Sequence, residues 1–251
     1  MDDIVSRLKN AQLTSNSTDS LIELMEKISA TDPKQLPEDN LTKDFLKLLA
    51  TTTDNQLKIK LVKCIADITK TDSQRKHFTE KSIMSALIDL IDQWKTSPNM
   101  ELIVQICRAL GNIFYQNDDA RDILITFNGD KSIIELLDIS VDCQNETNVL
   151  FITVRCGLIS NYLVGGEVVA KRAMEHNIMD KIEAIVGECA VDVEKHEDLL
   201  LNILPPLSIL TENVPDLNFN PPLNKELVKI LAESKNPDIA EMCLDLLHYQ
   251  A

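Results

Sequence analysis

Glycine is scarce in this chain, with six residues in 251, where an average composition would bring about 7%. Aromatic residues are thin as well, at 4% with a single tryptophan. An all-β sandwich or barrel needs frequent Gly turns and strands rich in aromatic and β-branched residues, so that class is excluded. A dinucleotide fold or P-loop needs a glycine-rich phosphate cradle, and none is present. Positive charge is in deficit too. Lys and Arg number 25 against 40 Asp and Glu, a formal charge of −15. Such a field repels phosphate backbones and anionic headgroups and attracts basic ligands. Nucleic acid and direct membrane insertion are therefore not expected. Stretches such as 149–152 and 86–88 are the longest kind of apolar run, far short of the roughly 20 residues of a membrane helix. The start, Met1-Asp2-Asp3, lacks the basic-then-apolar layout of a signal peptide. The expected location is the cytosol.

Paired cysteines are also missing. Cys64, Cys107, Cys143, Cys156, Cys189 and Cys243 form no C-x-x-C, so they read as reduced, small apolar core residues. His77, His176, His196 and His248 lie far apart, with neither H-E-x-x-H nor a zinc-type Cys/His cluster. No metal or other cofactor is expected.

What is present is an ordinary globular composition, 44% apolar and 26% charged, in a length that suits one large domain or two at about 150 residues each. Leu and Ile dominate the apolar set, which favours helices. An apolar doublet recurs at Leu48-Leu49, Leu90-Ile91, Leu136-Leu137, Ile185-Val186 and Ile230-Leu231, at intervals of 42, 46, 49 and 45 residues. A second segment follows the first three doublets at Cys64-Ile65-Ala66-Asp67-Ile68, Ala109-Leu110-Gly111-Asn112-Ile113 and Leu158-Ile159-Ser160-Asn161-Tyr162, with a looser form at Leu207-Ser208-Ile209-Leu210. Intervals of this size between two helical segments belong to armadillo or HEAT units, which bury their apolar faces only by stacking. Ile103, Ile106, Cys107, Leu110 and Ile113 form one stripe of a 3.6-residue period. Leu61, Ile65 and Ile68 read the same way. Polar clusters at Thr71-Asp72-Ser73, Thr96-Ser97-Pro98-Asn99, Gln116-Asn117-Asp118-Asp119 and Asn236-Pro237-Asp238 supply turns and N-caps. Residues 213–222, with Pro215, Pro221 and Pro222, read as one irregular connection inside a repeat, since the next doublet arrives on schedule.

The run Arg108-Ala109-Leu110-Gly111-Asn112-Ile113-Phe114-Tyr115, followed by Asp118 and Arg121, resembles a segment of the SmgGDS/Vimar family of armadillo-repeat GDP dissociation stimulators of small GTPases. Cys156-Gly157-Leu158 with Asn161-Tyr162 is similar to the matching segment one repeat later. Residues 223–247 and Asp19-Ser20-Leu21 extend the likeness over nearly the whole chain. The resemblance implies an all-α armadillo solenoid, a right-handed superhelix acting as a monomer. Repeats are expected at 41–80, 81–129, 130–178, 179–222 and 223–251, after capping helices in 1–40. Family members are more than twice as long, so an amino-terminal fragment is expected.

By the same resemblance, the third helices of the repeats line a concave groove. Asn112 and Asn161 on those helices are either backbone-amide clamps for an extended peptide or helix-end caps. The equivalent positions are Asp67 and Ile209, so the ladder is broken. Nuclear-import adaptors on this scaffold place Trp four residues before each Asn to take Lys stems. Here those positions are Lys63, Arg108, Gly157 and Pro205, so an import adaptor is disfavoured. The family's acidic patch for the polybasic, prenylatable tail of Rho-, Rap- and Ras-type GTPases falls on Asp238, Glu241 and Asp245, which share one helix face. The implied function is GTPase binding and nucleotide exchange without bond chemistry, in the cytosol and, through partners, at endoplasmic reticulum or mitochondria. The alternative is a general armadillo adaptor for extended peptides. Trp94 reads as packing at a helix end, Gly165-Gly166 as a helix-end turn, and Lys195-His196-Glu197-Asp198 as a charged loop entering a helix. No catalytic triad has positional support, and catalysis is not expected.

Overall fold

A computed structural model describes residues 18–36, 41–94, 96–140 and 145–250. Cys143 and most of the expected capping segment lie outside these. Among the described residues the chain is helical, with no strand. Contacts divide it into two compact units, one through Gly129 and the other from Asp130.

In the first unit, α1 (Thr18–Ala30), α3 (Asn55–Ile68) and α6 (Met100–Phe114) pack side by side as one row. Helices α2 (Leu41–Thr51) and α5 (Lys81–Trp94) form a second row against it. Short helices α4 (Asp72–Arg75) and α7 (Asp118–Thr126) make the corners after α3 and α6. The stripe read from the sequence on α6 is fully buried, Ile103, Ile106, Cys107, Leu110 and Ile113 each at 0% exposure. The second unit repeats the plan. Helices α9 (Glu146–Leu163), α12 (Glu197–Asn213) and α14 (Pro237–Tyr249) form the long row. Helices α8 (Gly129–Glu135), α11 (Ile178–Ala190) and α13 (Pro221–Glu233) lie behind it, and α10 (Glu167–Glu175) is the corner helix.

Every recurring doublet falls in the second row: Leu48-Leu49 in α2, Leu90-Ile91 in α5, Leu136-Leu137 in the 3-10 turn after α8, Ile185-Val186 in α11 and Ile230-Leu231 in α13. The polar clusters start helices as expected. Asn99, Asn117 and Asn236 accept the N–H groups of Leu102, Ala120 and Asp238, each supplying an orphan amide of the first turn with an acceptor. Thr71 stands at the same position before α4 without a side-chain cap bond. Gly166 takes φ 90° ahead of α10, a left-handed value that a side chain would oppose, so Gly165-Gly166 is a turn. The irregular connection narrows to residues 214–220, because Pro221 opens α13 from a first-turn position whose N–H would be unused anyway. Pro205 and Pro206 instead lie inside α12, where they leave the carbonyls of Leu201 and Asn202 without the usual i−4 donor.

Buried cysteines confirm the small-apolar reading among the described residues: Cys64, Cys107, Cys156, Cys189 and Cys243 are reduced and buried. Burial pushes the Cys64 thiol up to about 12 and those of Cys156 and Cys243 up to about 11, far from the thiolate that reactivity needs.

Polar residues hold the second unit together where apolar packing stops. Asp130, on α8, has no exposed surface. Its two oxygens meet Arg172 of α10 in a fork, Nε to Oδ2 at 3.0 Å and Nη2 to Oδ1 at 3.2 Å. His176 Nε2 stands 3.3 Å from the same carboxylate. Burial, with the Asp130 charge beside it, raises the hydroxyl of Tyr162 on α9 above its ordinary range. Three helices thus converge on one carboxylate. Arg155, 1% exposed, closes the neighbouring 3-10 turn by donating from Nη1 to the carbonyls of Leu136 and Ile139 at 3.1 and 2.7 Å.

A second carboxylate fixes the last turn. Glu197 Oε1 accepts Ser234 Oγ at 2.7 Å and the N–H groups of Lys235 and Asn236 at 2.7 and 3.1 Å, tying the start of α12 to the turn that launches α14. The hydrogen bond from Ser234, then that from the Lys235 amide, holds the Glu197 carboxyl below its usual range.

Asp130→Asn replaces the buried carboxylate beside Arg172 with a neutral amide and leaves the exposed Glu175 as its acid partner. It should cost about 3 kcal/mol, the low end for breaking a buried pair, because Arg172 keeps 27% of its surface exposed. Asp138→Asn, which removes a pair with Lys181 in which the acid is 54% exposed, should cost under about 1 kcal/mol. Urea unfolding of the two variants checks the ranking. Glu197→Gln should lower the melting temperature at pH 7. Because the folded pKa lies below the unfolded one, the charge contributes above the unfolded value of about 4.3 and its contribution disappears as pH falls through the folded value. The gap between variant and parent should therefore close below about pH 4 in thermal melts monitored by circular dichroism.

Candidate functional site

The long-row helices carry all six residues singled out by sequence, in two places. Asp67 and Asn112 lie in the first unit on α3 and α6, and Asn161, Asp238, Glu241 and Asp245 lie in the second on α9 and α14.

In the first unit, Asn112 is half-buried and its Nδ2 donates to the carbonyl of Ala66 at 2.7 Å. Ala66 belongs to the last turn of α3, whose carbonyls lack intrahelical donors. The amide therefore fastens α6 to the end of α3. One residue further on, Asp67 collects Lys63 at 2.9 Å, Lys70 at 3.0 Å and Arg108 at 3.3 Å. Burial raises the Asp67 carboxyl, but the hydrogen bonds and charges of Lys63 and Lys70 outweigh it and hold the group below its usual range. Arg108 also donates to Gln105 at 2.7 Å. Lys63 and Arg108, the positions where import adaptors carry Trp, are thus two cations on one carboxylate.

In the second unit, Asn161 is half-buried on α9, and Ile209 stands at the matching position of α12 without an amide. Gly157 is exposed and Pro205 half-buried, so the stripe is uncharged there. On α14, Ile239, Cys243 and Leu246 face the core, while Asp238, Glu241 and Asp245 are exposed. At 100° per residue the three acids fall within about 60° of one another around the helix. Asp238 lies in the first turn, where the helix dipole favours an acid. Leu244, 55% exposed, flanks Asp245. The face is aimed by Glu197, which sets the turn before α14.

Sequence reasoning passed over the residues that build these surfaces. The charged loop does enter a helix, with Glu197 as the first residue of α12, and its neighbour His196 is buried with Nδ1 3.1 Å from the carbonyl of Cys189. Arg75 and Arg121 are buried corner residues paired with Asp72 and Asp118. Arg121 Nη2 also donates to the carbonyl of Phe114 at 2.8 Å, and Arg75 lies 5.2 Å from the Tyr115 ring centre. Burial lowers the Arg121 pKa against the opposing pull of Asp118. A signal existed, because Asp-x-x-Arg occurs at 72–75 and again 46 residues later at 118–121, in step with the repeat. Trp94 is half-buried at the end of α5, lining a cavity of about 50 Å³ with Leu102, Ile103 and Ile106. Among the described residues there is no metal-ligating cluster and no helix long and apolar enough to cross a membrane.

No family model matches the chain. Over 254 aligned residues it is 50% identical to the GTPase-GDP dissociation stimulator vimar of Drosophila melanogaster, covering all of this chain and 39% of that protein. It is 24% identical over 166 residues to the Rap1 GTPase-GDP dissociation stimulator 1-B of Xenopus laevis, covering 64% of this chain and 27% of that one. The chain therefore spans well under half the length of these relatives. Among solved structures it is similar to a designed armadillo repeat protein, YIII(Dq)4CqI, with TM-score 0.77, 18% identity and 99% of each chain covered. Computationally designed armadillo repeat proteins for modular peptide recognition match with TM-score 0.75, 17% identity and 99% of each chain covered. The fold is thus an all-α armadillo solenoid. Along its entire length the sequence is thus similar to part of a GTPase-GDP dissociation stimulator, and its fold is that of armadillo repeat proteins.

Proposed function

We propose that this chain is the tail-binding part of a GDP dissociation stimulator for small GTPases of the Rho, Rap and Ras type, working as a monomer in the cytosol and, through its partners, at endoplasmic reticulum or mitochondria. The observation that carries the reading is the exposed acid face of α14, Asp238, Glu241 and Asp245, in a chain half identical to a stimulator of this kind. Three carboxylates along two turns suit the Lys and Arg side chains of an extended, prenylatable tail. Each exposed pair contributes well under about 1 kcal/mol, so affinity comes from several at once and is screened within about 8 Å at physiological salt.

In the first unit Asn112 and Asp67 order the long row and in the second Asn161 stands on it, while the tail itself is assigned to α14. Exchange in the whole protein is differential binding, since a scaffold that holds the nucleotide-poor GTPase more tightly than the GDP-bound one promotes release without any bond chemistry.

The test is anisotropy with a fluorescent basic tail peptide. The chain should bind it, lose at least tenfold in affinity on Asp238→Lys combined with Asp245→Lys, and bind more weakly as salt rises. Salt-insensitive binding, or binding unchanged by the reversal, overturns the assignment of the tail to α14. Fluorescent-GDP release from a Rho-type GTPase should be accelerated by the full-length protein only when the basic tail is present, and little by this chain alone. A full-length protein that binds the tail but leaves release unchanged would be a peptide adaptor instead.

A further inference from the structure

The acidity of the chain is not uniform, and the exception lies on the first unit. Around Asp67, three cations meet one carboxylate within 3.3 Å, two positive charges in excess. The neighbouring cation Lys60 is matched by Glu26 at 2.7 Å, so the excess belongs to the Asp67 cluster. It sits in a protein with 15 more acids than bases, where a local surplus of cations needs a reason.

The donors of this cluster reach solvent. Lys63 is 43% and Lys70 55% exposed, and Arg108 28%, whereas Asp67 is only 16% exposed. An ammonium has three donors and a guanidinium five. Asp67 takes one hydrogen bond from each cation, and Gln105 takes one more from Arg108. Among the described residues these are the acceptors of the three cations, and their remaining donors are available to an outside one.

We propose that the α3/α6 face centred on Lys63, Lys70 and Arg108 binds a short, extended acidic segment of a partner protein through its carboxylates. Charge complementarity selects this occupant over a long polyanion. Two excess charges match one or two carboxylates, while nucleic acid or an anionic bilayer brings many negative charges against the remainder of a −15 chain. Asp67 is the internal competitor. It preorganises the cations when the face is empty and limits affinity when the ligand arrives. The inference is independent of the tail-binding reading, which concerns α14 of the second unit.

The probe is a fluorescein-labelled peptide of alternating Glu and Gly, measured by anisotropy against the 251-residue chain at low and physiological salt. Binding should weaken at least fivefold in Lys63→Gln with Arg108→Gln, and tighten several-fold in Asp67→Asn, which removes the competing carboxylate. It should be unchanged in Asp238→Lys. Conversely, binding of the basic tail peptide should be unmoved by Lys63→Gln, so the two proposals fail separately. If the Arg108 variant does not fold, Lys63→Gln alone, at a half-exposed side chain, should still weaken binding at least twofold. Absence of binding at low salt, binding indifferent to Lys63→Gln, no tightening in Asp67→Asn, or complete displacement by inorganic phosphate or phosphatidylserine vesicles would each overturn the proposal.

Discussion

No helix of this chain can bury its apolar stripe alone, and the whole arrangement follows from how that is answered. Helices of 13 to 18 residues are marginal in isolation, and their stability comes from tertiary packing. Here α3 is covered by α1 on one side and α6 on the other, and α12 by α9 and α14. The consequence shows most clearly in α9. Phe151, Ile152, Cys156, Leu158, Ile159 and Leu163 are all buried and, at 100° per residue, fall within about 160° of one another around the helix.

Stacking of this kind leaves polar groups at every corner, and the chain handles them with charged side chains aimed at backbone or at each other. Arg155 closes a 3-10 turn, Arg121 takes the carbonyl at the end of α6, Glu197 caps the turn before α14, and Asp130 draws Arg172 into the second unit. A fully buried carboxylate is costly without a partner, so Asp130 constrains three helices at once. The surface charge is a different matter. Carboxylates at Asp238, Glu241 and Asp245 stay exposed, where water solvates them at little cost and leaves them available to a partner.

Much of the architecture was legible because repeats stack with a regular period. The doublets marked the second-row helices, the Asn112 and Asn161 segments marked the long row, and the Asn and Asp clusters marked helix starts. Local chemistry says less without its neighbours. Pro205-Pro206 argues against a helix interior, yet packing on both sides carries α12 through them. His196 in a run of charges looks exposed, yet it is buried against the end of α11. Glu197 looks like an ordinary loop acid because its three donors come from residues 37 to 39 positions away.

Composition, charge and period thus determined on their own that the chain is helical, that it is built of stacked units, and that Asp238, Glu241 and Asp245 share one face. Those properties depend only on residue type and spacing along one helix. Tertiary structure decided what the other polar residues do. It directed the Asn112 amide to Ala66, brought Arg108 to Asp67, and buried Asp130 beside Arg172. Partners roughly 40 residues apart in sequence are brought within hydrogen-bond reach only when one repeat stacks on the next. The period can announce that repeats stack, but which side chain meets which is set by the packing of their surfaces.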